Sequence, residues 1–335
     1  MKIVLTTPDD WHVHLRQGEA LESYAQTHAT GFGRVMAMPN TIPPLVTVEH
    51  LVEYRKHAES AASGLTVLPA FRLMPTTSAE DVAKLSQFGV PAGKYYPDGA
   101  TTNSSGGLVH WRQIEEALAA MEEHDVVLSI HGENPSAPVL EREEAFLPVL
   151  AEIRQSFPKL RIILEHVSTA AGVHYVMEDQ GPTAATITLH HLLFTLDDLL
   201  GGSLDAHLFC KPVVKTAADR EALTQRILAS DSRFFFGSDS APHPVVKKQS
   251  GRAPAGSYSA PVLLPALAQW FEEHQALEKM QPFLCEFGAA FYGYEANTGR
   301  VILEKKNWEV PELVDGCVPL LAGTTLSWKV LRREG

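Results

Sequence analysis

The segment Asp10-Trp11-His12-Val13-His14-Leu15-Arg16 near the start of the chain holds the residues best suited to do chemistry. Two histidines at i and i+2 point the same way from an extended strand, and neutral imidazole nitrogen is a favoured ligand for zinc-like ions. The pair follows an apolar segment, Ile3 to Leu5, which could supply that strand. In a chain with 15 histidines, chance alone gives about 0.6 such pairs, so the motif needs company. It has it at the ends of later apolar runs: Asn40, Lys94 in Ala92-Gly93-Lys94-Tyr95-Tyr96, His131 in Leu128-Ser129-Ile130-His131, His166 in Ile163-Leu164-Glu165-His166, and Asp239 in Phe236-Gly237-Ser238-Asp239. Four histidines and an aspartate suit a divalent metal site. Lys94 fits such a site only if it is deprotonated, or converted by carbon dioxide to an anionic carbamate able to bridge two metals. Singly, each residue has an ordinary structural reading; jointly, in this order, they point to a metal centre.

These residues need elements that bring them together. Short apolar or β-branched runs predict eight strands, near Trp11–Leu15, Arg34–Pro39, Thr66–Leu73, Gly89–Tyr96, Val126–His131, Arg161–Val167, Ala184–Leu189 and Phe234–Ser238. Helical segments are expected between them, among them Val48–Ser63, Ser78–Phe88, His110–His124, Glu141–Phe157, Thr169–Asp179 and Ala217–Ala229. Eightfold strand–helix alternation predicts an α/β fold, a (β/α)8 TIM barrel, with an open doubly wound sheet as runner-up. The C-terminal strand ends of a barrel form one face, where residues remote in sequence meet. Residues 97–109, rich in Gly, Ser and Thr, read as a mobile loop. A single domain over 1–335 is expected, with short strands added near 301–330.

The remaining histidines read as structural. His190-His191 precede Leu192-Leu193-Phe194 and suggest packing; His28, His57, His124 and His274 lie in helical or polar stretches and read as surface residues. Glu133 and Glu165 adjoin candidate ligands and are either their hydrogen-bond partners or surface carboxylates.

Composition narrows the class. The net charge is −12 without a basic block, which argues against nucleic acid as partner and requires local positive charge to hold any anionic substrate. Three distant cysteines, Cys210, Cys285 and Cys317, do not make a disulfide framework. No apolar run reaches the length of a membrane span, and the N-terminus lacks a signal-peptide pattern. A cytoplasmic enzyme acting on a small molecule is expected.

In the order and context of these residues, the chain resembles the amidohydrolase superfamily and, within it, the shorter, single-domain dihydroorotase family. The resemblance runs from Asp10 to about Ala290. It rests on the segment containing His12 and His14, on Met36-Ala37-Met38-Pro39-Asn40-Thr41, Gly93-Lys94-Tyr95-Tyr96-Pro97, Ile130-His131-Gly132-Glu133, Leu164-Glu165-His166-Val167-Ser168-Thr169 and Gly237-Ser238-Asp239-Ser240-Ala241-Pro242-His243. It implies two Zn2+ ions: His12, His14 and Asp239 on one, His131 and His166 on the other, with carboxylated Lys94 and a hydroxide bridging both. It implies reversible interconversion of N-carbamoyl-L-aspartate and L-dihydroorotate in pyrimidine biosynthesis, with Asp239 as general acid and base. It assigns the substrate carboxylate to Arg16, Asn40 and His243, the ring to main-chain groups of Lys211 and Ala255, and a covering loop to Thr101 and Thr102. A homodimer is usual in this family. Lys211 departs from members that carry an apolar residue there, which changes the local charge.

Three rivals remain. A dihydropyrimidinase- or hydantoinase-type enzyme would share the metal centre without needing the carboxylate clamp. A barrel lyase using Lys94 as a Schiff-base nucleophile would leave the histidines unexplained. A non-catalytic assembly partner would be marked by missing ligands, and none is missing.

Overall fold

The computed structural model describes Met1–Gly335. β1 (Lys2–Thr6) stands apart from the strands that follow. β2 (Asp9–Val13), β3 (Arg34–Ala37) and β4 (Thr66–Pro69) pair in parallel, as do β5 (Phe71–Arg72), β6 (Ala92–Tyr95), β7 (Val127–Ile130), β8 (Ile162–Leu164), β9 (Thr183–Ile187) and β10 (Phe234–Phe236). β4 and β5 are two pieces of one strand interrupted at Ala70. The two sheets join on the other side through Asp239 N–H to His12 O at 2.8 Å and His14 N–H to Ser240 O at 3.0 Å. Eight strand positions therefore close on themselves. The chain is a (β/α)8 barrel, and all eight strands predicted from the apolar runs are present.

The helices are α1 (Glu19–Ala29), α2 (Val48–Ala61), α3 (Ala79–Gln87), α4 (Glu115–Glu123), α5 (Leu147–Ser156), α6 (Ala170–Glu178), α7 (Leu189–Leu193), α8 (Leu196–Leu200), α9 (Ala217–Leu228), α10 (Val245–Lys248), α11 (Leu263–Glu273) and α12 (Phe287–Tyr292). Hydroxyls of Thr47, Ser78, Thr169, Thr188 and Thr216 accept from the first-turn amides of α2, α3, α6, α7 and α9; each such cap is worth about 0.5–2 kcal/mol. α5 begins later than the predicted Glu141. Glu143 is instead buried and accepts from the amides and hydroxyls of Ser168 and Thr169, which ties the β7 and β8 loops together.

Strand alternation builds two cores. Inward residues Met36, Leu68, Ala92, Val127, Ile163, Ala184 and Phe235 form the barrel floor with Trp11. Their neighbours, such as Val35, Val67, Leu128, Ile162 and Phe236, face the helices in the larger core. α12 plugs the floor: Tyr292 stacks on Trp11 with ring centroids 4.5 Å apart.

One expectation is corrected. Ile3–Leu5 does not lead into the histidine strand. It belongs to β1, which pairs antiparallel with β11 (Arg300–Glu309), itself paired with β12 (Thr325–Glu334). The predicted additions near 301–330 are thus two ten-residue strands that recruit the N-terminus. This sheet is fastened to α11 by Trp328 Nε1–H to Glu272 and Ser327 N–H to Gln269, both at 3.0 Å.

Candidate metal centre and pocket

The alternation that sets the floor also sets the site. Two residues above the floor stand Lys94, Ser129, Glu165, Thr186 and Gly237; two further stand His131 and Asp239. A cluster of polar groups is thereby enclosed above an apolar base. A Cβ on Gly237 would lie 2.9 Å from Thr186 Cβ and 3.0 Å from His12 Cβ, so only glycine lets β10 and its neighbours close here.

Two local irregularities add ligands that simple alternation would turn away. The β2–β3 register shifts between Asp10 and Val13, and such a bulge re-aims side chains. Trp11 can then join the floor while His12 meets Glu165. At His166 the backbone adopts φ 40°, a left-handed conformation that costs a non-glycine residue about 1–2 kcal/mol. Consecutive residues Glu165 and His166 then both reach the centre. Asp239 and Arg16 share this conformation, with φ 46° and 61°; strain of this kind concentrates at functional sites.

The candidate ligands converge. Asp239 Oδ1 lies 2.9 Å from His14 Nε2 and 3.4 Å from His12 Nε2, and the three donor atoms fall within 4.8 Å of one another. His131 Nδ1 lies 3.1 Å from His166 Nε2, close to the edge of about 3.3 Å expected for two nitrogens on one zinc.

The outward nitrogens are held by acceptors. His12 Nδ1 meets Glu165, His14 Nδ1 meets Asn40 Oδ1, and His131 Nε2 meets Glu133, each at 2.8 Å. Proton donation outward leaves a lone pair facing the centre, the tautomer a metal requires. Glu133 and Glu165 are both fully buried, so they are histidine partners rather than surface carboxylates. Glu165 also accepts from Ser129 and Thr186. Burial alone would raise its carboxyl, but His12, Lys94 and these hydrogen bonds hold it down at about 2.

Burial lowers His14 to about 4 and also lowers His131 and His166, which keeps all three imidazoles neutral near pH 7. Against burial, the close approach of His14 and the neighbouring histidines holds Asp239 below the ordinary carboxylate range. Lys94 is fully buried, its Nζ has no hydrogen-bond partner, and burial lowers it to about 8. An unpartnered buried amine among ligand nitrogens fits the carbamate reading, since the carbamate would supply the missing anion. The residues present fit a two-metal group.

Beside this centre opens a cavity of about 450 Å³, lined among others by His14, Arg16, Asn40, Thr102 and His243. Arg16 Nε–H donates to Pro242 O at 3.0 Å, and its guanidinium lies 3.0 Å from His243 Nε2. Burial, reinforced by Arg16, lowers His243 to about 3, so that ring is neutral. The 97–109 segment is folded over the cavity. Asn40 Nδ2 donates to Thr102 O, Thr102 Oγ1 to Ala255 O, and Lys211 Nζ to Ala100 O, at 3.0, 3.1 and 2.9 Å. Thr101, Thr102, Lys211 and Ala255 thus border one small recess with Asp239.

The structure also holds groups that sequence reasoning passed over. Buried Arg72 donates to Asn103 O and Ser105 O, both at 2.9 Å, and pins the loop; an arginine inside an apolar strand was its available signal. His28 is buried, not superficial: its Nδ1 meets Tyr24 O at 3.0 Å and its Nε2 lies 3.6 Å from Asp10. His191 is bonded to Thr188 and Pro212 O, as packing implies, whereas both ring nitrogens of buried His190 lack partners.

A parallel barrel with histidine, lysine and aspartate side chains at its C-terminal strand ends defines the class of metal-dependent barrel hydrolases. No family model matches the chain. A dihydroorotase of Alcanivorax borkumensis is 41% identical over 340 residues, covering 98% of each chain. One of Halorhodospira halophila is 42% identical over 339 residues, again covering 98% of each. The crystal structure of dihydroorotase in complex with 5-fluoroorotic acid from Saccharomyces cerevisiae superposes with a TM-score of 0.94, at 36% identity and 99% coverage of both chains. The chain belongs to the dihydroorotase family. The L-hydantoinase of Arthrobacter aurescens, at 17% identity and a TM-score of 0.83, shares the fold alone.

Proposed function

We propose that the protein opens the ring of L-dihydroorotate to N-carbamoyl-L-aspartate and closes it in reverse, as a step of pyrimidine biosynthesis. The observation that carries this reading is a hydrogen-bonding recess, cationic through Arg16, formed by Arg16, Asn40 and His243 in one cavity with His14, whose Nε2 lies 2.9 Å from Asp239. A cyclic amide bearing a carboxylate matches both halves.

In this reading His12, His14 and Asp239 would hold one Zn2+ ion and His131 and His166 a second, with carboxylated Lys94 as a further ligand. Bound there, zinc lowers the pKa of water and polarises a carbonyl. The remaining work falls to the chain. Arg16 pairs with the substrate carboxylate, a planar fork suited to bidentate binding, while Asn40 and His243 complete its hydrogen bonds. Main-chain groups of Lys211 and Ala255 orient the ring, and Thr101 and Thr102 close the loop over it and exclude water. His12 and His14 both approach Asp239 Oδ1, which leaves Oδ2 to take the proton of the attacking water and deliver it to the leaving ring nitrogen.

The substrate's carboxylate is the discriminating feature. L-dihydroorotate is expected to exceed dihydrouracil, which lacks that group, in kcat/KM by roughly 10³-fold or more. Comparable turnover of the two would move the assignment to a dihydropyrimidinase-type enzyme. The proposal extends to residues 1–335 acting as one domain, and to a homodimer in the cytoplasm, which sedimentation and fractionation test. The three cysteines are buried and unpaired, in keeping with a reducing compartment.

A further inference from the structure

Lys248 ends α10, five residues beyond His243, and sits beside exposed Lys247. Unlike its neighbour it is only 2% exposed. Its ammonium donates to Phe209 O at 2.9 Å, Pro254 O at 3.1 Å and Gly256 O at 2.8 Å. An ammonium has three donors and no acceptor, so these bonds use all of them. No carboxylate pairs with it, and the charge is met by carbonyl dipoles and by the Phe209 ring, 5.7 Å away. A buried cation is costly unless hydrogen-bonded, and a lysine spent wholly on backbone carbonyls fixes backbone.

The segments it fixes are the ones the site uses. Phe209 lies two residues before Lys211; Pro254 and Gly256 flank Ala255 on both sides. The segments are also joined directly, Gly256 N–H donating to Phe209 O at 2.9 Å. Between the two flanking carbonyls that Lys248 holds, the Ala255 carbonyl is met by Thr102 Oγ1 at 3.1 Å and lies 3.0 Å from His243 Nε2. Gly256 has φ 141°, and a Cβ there would lie 2.6 Å from Ala241 O, so this turn has little room to relax by itself. Three elements meet at one ammonium: the stretch leading to Lys211, the helix that follows His243, and the turn carrying Ala255.

We propose that Lys248 is a positioning residue for substrate binding: its ammonium holds the Phe209–Lys211 and Pro254–Gly256 main chains at the spacing that receives the substrate ring. This rests on the reading of L-dihydroorotate as substrate. Lys248 touches no metal ligand, so its loss bears on binding rather than on metal loading.

The test compares Lys248→Met, which keeps the stem and removes the three donors, with Lys248→Arg, whose planar fork keeps charge but cannot meet three converging carbonyls equally. Expected for Lys248→Met is a rise of about tenfold in both KM for L-dihydroorotate and Ki for orotate, with kcat within about threefold. Metal content by mass spectrometry stays at the wild-type value, and Lys248→Arg falls between. An unchanged KM in folded Lys248→Met overturns the proposal, as does lost activity that tracks lost metal. If Lys248→Met does not fold, Lys248→Arg decides: a raised KM with metal retained supports the clamp, and a wild-type KM overturns it. Wild-type turnover of L-dihydroorotate, measured alongside, separates the two readings. Its absence overturns both; its presence with an unchanged variant KM overturns the clamp alone.

Discussion

At the scale of residues, chemistry is set by what each polar group is denied. His12, His14 and His131 each have one nitrogen held outward by an acceptor, so only the inward lone pair is left for a metal. Lys94 is denied every hydrogen-bond partner. Because burial lowers it to about 8, its neutral fraction in the metal-free protein rises steeply between pH 6.5 and pH 8.5. Only the neutral amine adds carbon dioxide, so the sign is fixed: reactivation quickens as pH rises through 8. Metal-free protein given zinc at constant dissolved carbon dioxide is expected to regain activity at least about tenfold faster at pH 8.5 than at pH 6.5. A rate flat across that interval would count against Lys94 carboxylation. Arg16 provides a second test. Replacing it with alanine removes a charge-assisted bond of about 1.5–3 kcal/mol, so KM for L-dihydroorotate should rise roughly 10- to 150-fold with metal content unchanged. Normal binding in Arg16→Ala would refute the carboxylate assignment.

At the scale of elements, the division between what was legible in the sequence and what was not follows from periodicity. Lys94, His131 and Asp239 were legible because each ends or lies in a short apolar run whose two-residue alternation continues straight from floor to site. The bulge in β2 and the left-handed turn at His166 were not, since both break alternation through backbone geometry that residue types do not encode. Glu133 and Glu165 could be located but not assigned, because a carboxylate beside a ligand reads alike whether buried or exposed. Arg72, Lys248 and His28 escaped for a related reason: their partners are backbone carbonyls or distant acids. β1 was misplaced because an apolar run of three residues fits a barrel strand and an outer strand equally well. The plug of the floor gives an element-scale prediction. A Cβ on Gly288 would fall 2.1 Å from Trp11 Nε1, so Gly288→Ala must push α12 off the β2 floor. A loss of about 1–3 kcal/mol is expected for such overpacking, read as a lowered Tm. An unchanged Tm would show that α12 is free to shift.

At the scale of the whole molecule, the barrel separates stability from chemistry along its axis. The lower layer is apolar and sealed by α12, and the upper layer gathers polar groups from the C-terminal strand ends beneath the 97–109 loop. The acidic net charge of −12 and a cationic recess are compatible because the charge of Arg16 is confined to one cavity. No helix is long and apolar enough to cross a membrane. The central claim, a metal-dependent enzyme acting on a carboxylate-bearing cyclic amide, is tested most directly by following L-dihydroorotate with purified protein, then after chelation, then with zinc restored. Ring opening that disappears on chelation and returns with zinc is the expected result. Turnover indifferent to chelation, or none with zinc present, would contradict it.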